Sequence, residues 1–301
     1  MNKQTIISYL FIVVLYSNCN ENTSKITTKQ NNSLKDSIYH YIQTIDANIG
    51  VAILHIENSD TITLNNNYKY PMQSVYKLPL CLALLSEIEK GKFSLNQKTH
   101  VAKYDLPSNT WSPLRDSFPN GNIDLSIAEL INYTICKSDN NTCDILFKLL
   151  GGTQVAEKYI QSIGYKHINI KTTEAEMRMG DDSIAYTNWC YPTEINQLLV
   201  NIFNGKHLNK ANTEFLIKTL TETSTGPNRL KGLLQKDIIV AHKTGSGKNI
   251  VNDVGIINLP NGNHIAISVF IDNAKIEYED AEKVIANISK MVVDFYIKSE
   301  D

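Results

Sequence analysis

Apolar positions along the chain change their period twice. SLKDSIYHYIQTI repeats its apolar residues at helical spacing, and NIGVAILHIENSDTITLNNN then reads as two short strands joined by the polar turn Glu57-Asn58-Ser59-Asp60. From about residue 73 to 222 helical periodicity dominates, in LPLCLALLSEIEKG, LSIAELINYTICKS, DILFKLLGG and TEINQLLVNIFNG. Several of these end in the glycine that favours a helix C-terminus. From about residue 238 the pattern reverts to strands, in DIIVAHKTGS, VNDVGIINL and HIAISVFID, before a final helix in YEDAEKVIANISKMVVDFYIKS. Strands at both ends with helices between predict a sheet built from the two chain ends and a helical lobe inserted in the middle. The boundaries expected are 35–72 with 223–301 for an α/β lobe and 73–222 for a helical lobe. Ligand sites favour the cleft that such a join leaves.

The first residues add an address. MNK and then TIISYLFIVVLYSNC give a charged tip and a run of about a dozen apolar residues, too short to span a bilayer comfortably, so 1–18 reads as a signal peptide. Leu15-Tyr16-Ser17-Asn18-Cys19 resembles a bacterial lipoprotein box, with an unusual Asn before the cysteine. Lipidation at Cys19, ordinary cleavage nearby and an uncleaved anchor all stay open, and each puts the protein outside the cytoplasm, in a periplasm. Residues 19–34 are polar and read as a tether.

Composition excludes more than it assigns. With 301 residues, 42% of them hydrophobic, the chain can bury a large core. Its 29 Lys and Arg balance 31 Asp and Glu without a basic block, which argues against nucleic acid as a partner. The spacings of Cys81, Cys136, Cys143 and Cys190 match no zinc pattern and the seven histidines form no His-x-x-x-His pair, so neither metal nor cofactor is expected. Four cysteines in an exported chain allow three full disulfide connectivities, between which sequence does not choose. The protein is expected to be a monomer.

Three short motifs carry the chemistry. Ser74 and Lys77 open the apolar run PMQSVYKLPLCLALLSEIEKGK; on a helix they share a face, which suits a nucleophile beside its base and equally suits a cap and a solvated charge. Ser138-Asp139-Asn140 follows a helical run, and His242-Lys243-Thr244-Gly245-Ser246-Gly247 ends the strand begun by DIIVA. Singly, the second reads as a helix-ending turn and the third as an edge residue before a bend.

In this order the three resemble the serine β-lactamase and penicillin-binding-protein superfamily, over the chain from about residue 35 to its end. Ser138 lies 64 residues after Ser74 and Lys243 lies 105 after Ser138, spacings similar to those of class A β-lactamases. The resemblance implies an α/β (α+β) two-lobe fold, an antiparallel sheet flanked by helices with an inserted all-helical lobe, and a β-lactam as the small-molecule substrate. It implies that Ser74 attacks the lactam carbonyl, with the backbone N–H groups of Ser74 and Ser246 as oxyanion donors. Lys77 would act either as a neutral base or as a charged relay, and Ser138 would pass a proton to the leaving nitrogen. Asn140 would meet the substrate's side-chain amide, and Lys243, Thr244, Gly245 and Ser246 its carboxylate.

Deacylation separates hydrolysis from mere acylation. Class A enzymes activate water with a Glu in the pattern Glu-x-x-Leu-Asn; here Glu174 stands 36 residues past Ser138, Met177 replaces the Leu and Arg178 the Asn. The stretch is similar to that of the PER-like branch of class A, which also lacks the Asn, carries a Gln before the nucleophile, here Gln73, and closes the loop as Asn188-Trp189 does. Cephalosporins would then be among the substrates. Arg178 can shift the loop, pair with Glu174 or point to solvent, and Glu176 is the rival base. Trp111, in Trp111-Ser112-Pro113, resembles the aromatic rim of the cleft, and Arg229 resembles a cation beneath the carboxylate site; the plain readings are a packed Trp and a surface charge. The competing functions are a D,D-peptidase or serine glutaminase on the same fold, and a non-hydrolytic β-lactam sensor.

Overall fold

A computed structural model describes residues 33–298. The signal peptide, Cys19 and nearly all of the tether lie outside them. The tether ends earlier than residue 34, because the first helix, α1 (33–43), already holds Leu34, which is buried.

Period-2 strands build the sheet. Strands β1 (Asn48–His55) and β2 (Thr61–Leu64) form the expected hairpin. A short β3 (Tyr70–Pro71) leads to α2 (Lys77–Glu89), and β4 (Lys98–Val101) pairs with β5 (Ile123–Ser126), with α3 (Pro113–Ser117) between them. The helices α4 (Ile127–Cys136), α5 (Asn140–Leu150) and α6 (Thr153–Ser162) follow. Two-residue strands β6 (Ile168–Asn169) and β7 (Trp189–Cys190) bracket α7 (Glu174–Met179), and β7 also pairs with β3. After α8 (Pro192–Phe203) and α9 (Lys210–Thr221) come β8 (Val240–Gly247), β9 (Ile250–Asn258), β10 (His264–Asp272) and α10 (Tyr278–Lys298). The antiparallel order is β2-β1-β10-β9-β8, with Asn48 opposite Asp272, so both chain ends meet in one sheet and β8 is its outer strand.

Alternation splits the core in two. Ile265, Ile267, Val269 and Ile271 of β10 face α1 and α10, while Ala266 and Phe270 face the helical side. The central helix α2 is buried on every side from Lys77 to Ser86, the condition of a helix inside a lobe rather than on its surface. Pro79 is tolerated because it falls in the first turn. The Lys-Thr-Gly motif lies within β8, which starts at Val240 and ends at Gly247, as expected for the strand begun by DIIVA. Cys81, Cys136, Cys143 and Cys190 are buried free thiols.

Candidate active site

Ser74 sits in one turn of 3-10 helix, Gln73–Tyr76, that runs into α2, so the hydroxyl is mounted on the most deeply packed helix of the chain. Ser74 caps neither element; the N-cap positions are Met72 for the turn and Tyr76 for α2, both without a side-chain bond. Gln73, just before the serine, has φ +48°, a left-handed conformation that costs a non-glycine residue on the order of 1 to 3 kcal/mol and persists only where the surroundings impose it. The imposing neighbour is β8. A Cβ on Gly245 would stand 2.4 Å from the Met72 carbonyl oxygen, so only glycine lets the strand lie against the serine turn. Asn252 of β9 fastens the same joint, its Nδ2 donating to the carbonyls of Pro71 (2.8 Å) and Met72 (3.2 Å).

Lys77 is wholly buried, and its ammonium has three partners: the Ser138 carbonyl at 2.9 Å, Asn140 Oδ1 at 2.5 Å and Glu174 Oε1 at 3.0 Å. The first two are hydrogen bonds, and the third is an ion pair to a buried carboxylate oxygen that accepts no hydrogen bond. The Ser138 carbonyl turns inward because Ser138 is itself left-handed, φ +54°, between α4 and α5. That turn hangs on Asp139, fully buried, which accepts from Ser112 Oγ, Leu114 N and Thr142 N and so caps α5. The Asn140 amide donates to Thr110 Oγ1 (2.8 Å) while its oxygen serves Lys77.

Glu174 arrives on a separate loop. Its backbone N–H and that of Ala175 each donate to Asp144 of α5 at 2.8 Å. Burial, and then the Glu174 charge, push the Asp144 carboxyl up to about 6. The rival Glu176 faces the other way, accepting from Thr173 N and Oγ1 as a capping box. Among the described residues no ion pair joins Arg178 to Glu174, and Arg178 Nη1 is buried without a hydrogen-bond partner. Asn188 closes the loop neck, accepting from Lys171 N (2.7 Å) and Thr172 N (3.0 Å) and donating to the Thr172 carbonyl. Farther along, the Tyr186 hydroxyl donates to Asp272 Oδ1 (2.8 Å), whose other oxygen accepts from Tyr68 (2.7 Å).

The opposite wall is β8. Lys243 Nζ donates to Ser138 Oγ and to the Thr244 carbonyl, both at 2.9 Å. Burial, and then the Lys77 charge, hold its pKa well below the usual lysine value. Thr244 and Thr225 share a 2.6 Å hydroxyl bond. Arg229, read from sequence as either a surface charge or a cleft cation, is 2% exposed, with Nε on Glu282 at 3.0 Å and Nη2 on Ser246 Oγ at 2.7 Å.

These walls enclose a cavity of about 590 Å³ lined by Ser74, Ser138, Asn140, Thr244, Ser246 and Arg229, with Trp111 at the mouth. Trp111 is 58% exposed, its Nε1 donating to the Lys137 carbonyl, so it is not a packed core ring. Five expected residues are not on this lining: Lys77, Glu174 and Lys243 are buried, and Gly245 and Gln73 face elsewhere. Gly245 is buried against Met72, and Gln73 borders a second cavity of about 410 Å³ with Met177 and Gly247. Asn252, Asp144, Asp272 and Glu282 were not found from sequence; the only hint was a polar residue inside an apolar strand or helix.

The model of the β-lactamase enzyme family matches residues 32–296. The chain is 44% identical over 296 residues to β-lactamase VEB-1 of Pseudomonas aeruginosa, covering 96% of this chain and 95% of that protein. It is 34% identical to the extended-spectrum β-lactamase PER-1 of Pseudomonas aeruginosa, covering 90% of each. The crystal structure of TLA-3 extended-spectrum β-lactamase superposes with a TM-score of 0.87 at 44% identity, covering 89% of this chain and 99% of that one. With the serine turn, its lysine and the Lys-Thr-Gly strand all meeting at one cleft, the chain belongs to the β-lactamase enzyme family, among the class A serine β-lactamases.

Proposed function

We propose that this chain opens the β-lactam ring of penicillins and cephalosporins through an acyl-enzyme on Ser74, released by water that Glu174 activates. The observation that carries the reading is the position of Lys77 Nζ, in contact with the Ser138 carbonyl, Asn140 and Glu174 beside the Ser74 turn. As Ser74 Oγ bonds to the lactam carbon, its proton passes to the Lys77–Glu174 pair. The carbonyl oxygen takes the negative charge and is met by the N–H groups of Ser74 and Ser246, each worth about 3 kcal/mol to the transition state. Ser138 gives its proton to the nitrogen as the C–N bond breaks and regains one from the Lys77–Glu174 pair, so the pair holds no extra proton when the acyl-enzyme forms. Lys243 donates to the Ser138 oxygen and so supports that hydrogen facing the cleft. In the second step Glu174 takes a proton from water, the water oxygen attacks the ester carbon and Ser74 leaves with a proton returned from the pair.

Asn140, through the free hydrogen of its amide, meets the acylamido group of the substrate, with Trp111 at the mouth, and Gln73 orients the serine turn. Thr244 and Ser246 receive the carboxylate, with the Arg229 charge behind Ser246, while Gly245 serves by allowing β8 to approach. PER-1 and TLA-3 are named extended-spectrum β-lactamases, and cephalosporins are proposed here among the substrates of this chain. The division into 35–72 with 223–301 and 73–222, export by residues 1–18 with either lipidation at Cys19 or ordinary cleavage nearby, a periplasmic location and a monomeric state complete the reading. Among the described residues no helix is long and apolar enough to cross a membrane.

The test is a chromogenic cephalosporin followed by intact-mass spectrometry. The parent is expected to turn over, Glu174→Ala to hold a persistent Ser74 adduct, and Glu176→Ala to turn over. Stoichiometric acylation of the parent without turnover would favour a penicillin-binding peptidase or a sensor. A trapped adduct in Glu176→Ala with a fast Glu174→Ala would reverse the assignment of the base.

A further inference from the structure

The donors of Arg229 can be accounted for one by one. A guanidinium has five N–H groups and no acceptor. Nε donates to Glu282 Oε1 at 3.0 Å, and Nη1 to the carbonyls of Gly245 (3.1 Å) and Asn252 (2.8 Å). Nη2 donates to Ser246 Oγ at 2.7 Å and to the Tyr278 hydroxyl. None of the five is left for a substrate. The guanidinium is also pinned: it is 2% exposed, ion-paired with buried Glu282, and overlaid by the Tyr278 ring with 5.6 Å from its central carbon to the ring centroid.

The hydroxyls around it have a direction. Tyr278 accepts from Arg229 and spends its own hydrogen on Ser246 Oγ at 2.9 Å. Ser246 Oγ thereby receives two donors, one of them cationic, and its own hydrogen is the one that remains. Ser246 is exposed and lines the main cavity together with Tyr278, so that hydrogen faces the space a ligand enters. Two donors on one oxygen also polarise its O–H bond and make it a stronger donor.

We propose that Tyr278 is a positioning residue for an anionic group on the substrate: with Arg229 it fixes Ser246 as an outward hydrogen donor, so that the cation acts on the anion through a hydroxyl. This rests on the reading of the cleft as one that is acylated by β-lactams. Tyr278→Phe keeps the ring over Arg229 but removes the hydrogen held on Ser246. Ser246 is then free to turn its proton away from the cavity.

The experiment measures the rate of Ser74 adduct formation, by stopped-flow or quenched mass spectrometry, with a cephalosporin bearing its free carboxylate and with the methyl ester of the same compound. Tyr278→Phe is expected to slow acylation by the carboxylate about five- to tenfold, the size of one net hydrogen bond, and to change acylation by the ester less than about twofold. In a Ser246→Ala background the same substitution should have no further effect on either compound. The carboxylate-to-ester ratio does not depend on how much of a variant is folded. Equal slowing of both compounds, or an undiminished effect in the Ser246→Ala background, overturns the proposal while the parent still acylates. A parent that forms no adduct with either compound overturns the reading of the cleft itself.

Discussion

Two segments bring polar groups to Lys77 from the helical side, and they are held in opposite ways. The turn at Ser138 hangs from one fully buried carboxylate, Asp139, whose donors all lie within the helical lobe. The Glu174 segment hangs from several weaker points spread over three elements: Asp144 on α5, Asn188 at β7 and Asp272 at the end of β10. The first is part of the core and has no means of adjusting. The second carries Glu174, the proposed base, on a segment whose main anchor, the Asp144 carboxyl, is pushed up to about 6 by burial and by the charge it positions. On the proposed mechanism, a step that only needs fixed geometry is built into the core, whereas a step that must admit and activate water sits on a segment that can yield.

The sharpest way to break this contrast is Asp139→Ala. It strands three buried donors and is expected to cost about 3 to 5 kcal/mol of stability, with acylation lost alongside. A thermal melt within a degree or two of the parent would show that the turn is not hung from Asp139. Asp144→Asn should act on the other segment. A carboxamide offers one acceptor oxygen where two N–H groups now bind, so release of the adduct is expected to slow about tenfold while its formation holds, which pre-steady-state burst amplitudes would show.

Asp144→Asn also carries a pH signature. Folded Asp144 keeps its proton to about pH 6, whereas an ordinary Asp releases it near 3.8, so between those values the folded state binds more protons than the unfolded one and stability falls as pH rises. Ionisation of this one group accounts for about 3 kcal/mol of that fall, and Asp144→Asn should flatten it in denaturant titrations run from pH 4 to 7. The smallest effect is expected from Tyr186→Phe, which frees one of the outer points. Slower release of the adduct lowers kcat and KM together, about two- to fivefold, and leaves kcat/KM unchanged. A fall in kcat/KM instead would place Tyr186 in the acylation step.

What was legible in the sequence follows from the range of the signal. Ser74, Lys77, Ser138 and Lys243 sit in short motifs, and the strand, helix and strand blocks declare themselves by local period. The acids that brace the site do not. Half-buried Asp144 in a helix and buried Glu282 in the last one look like solvated charges because most such residues are; their partners lie 30 and 53 residues away. Strands β6 and β7 are two residues long and have no period to detect. Arg229 stayed divided between surface and cleft for the same reason, since the burial that decides it comes from Glu282, Gly245 and Asn252. Gly245 was read as a substrate contact, and only the Met72 carbonyl against it shows why no side chain fits there.

The pairing of Asn48 with Asp272 has a consequence for how the chain is made. While the chain grows on the ribosome, β1 finds only the four-residue β2 for a partner until the segment 264–272 emerges. Its apolar residues therefore wait for nearly the whole of synthesis, and the closing step joins contacts of very large sequence separation, which is slow. The nascent protein remains open, and so threadable, until its last strands exist, and the serine turn that β8 braces cannot be armed before then.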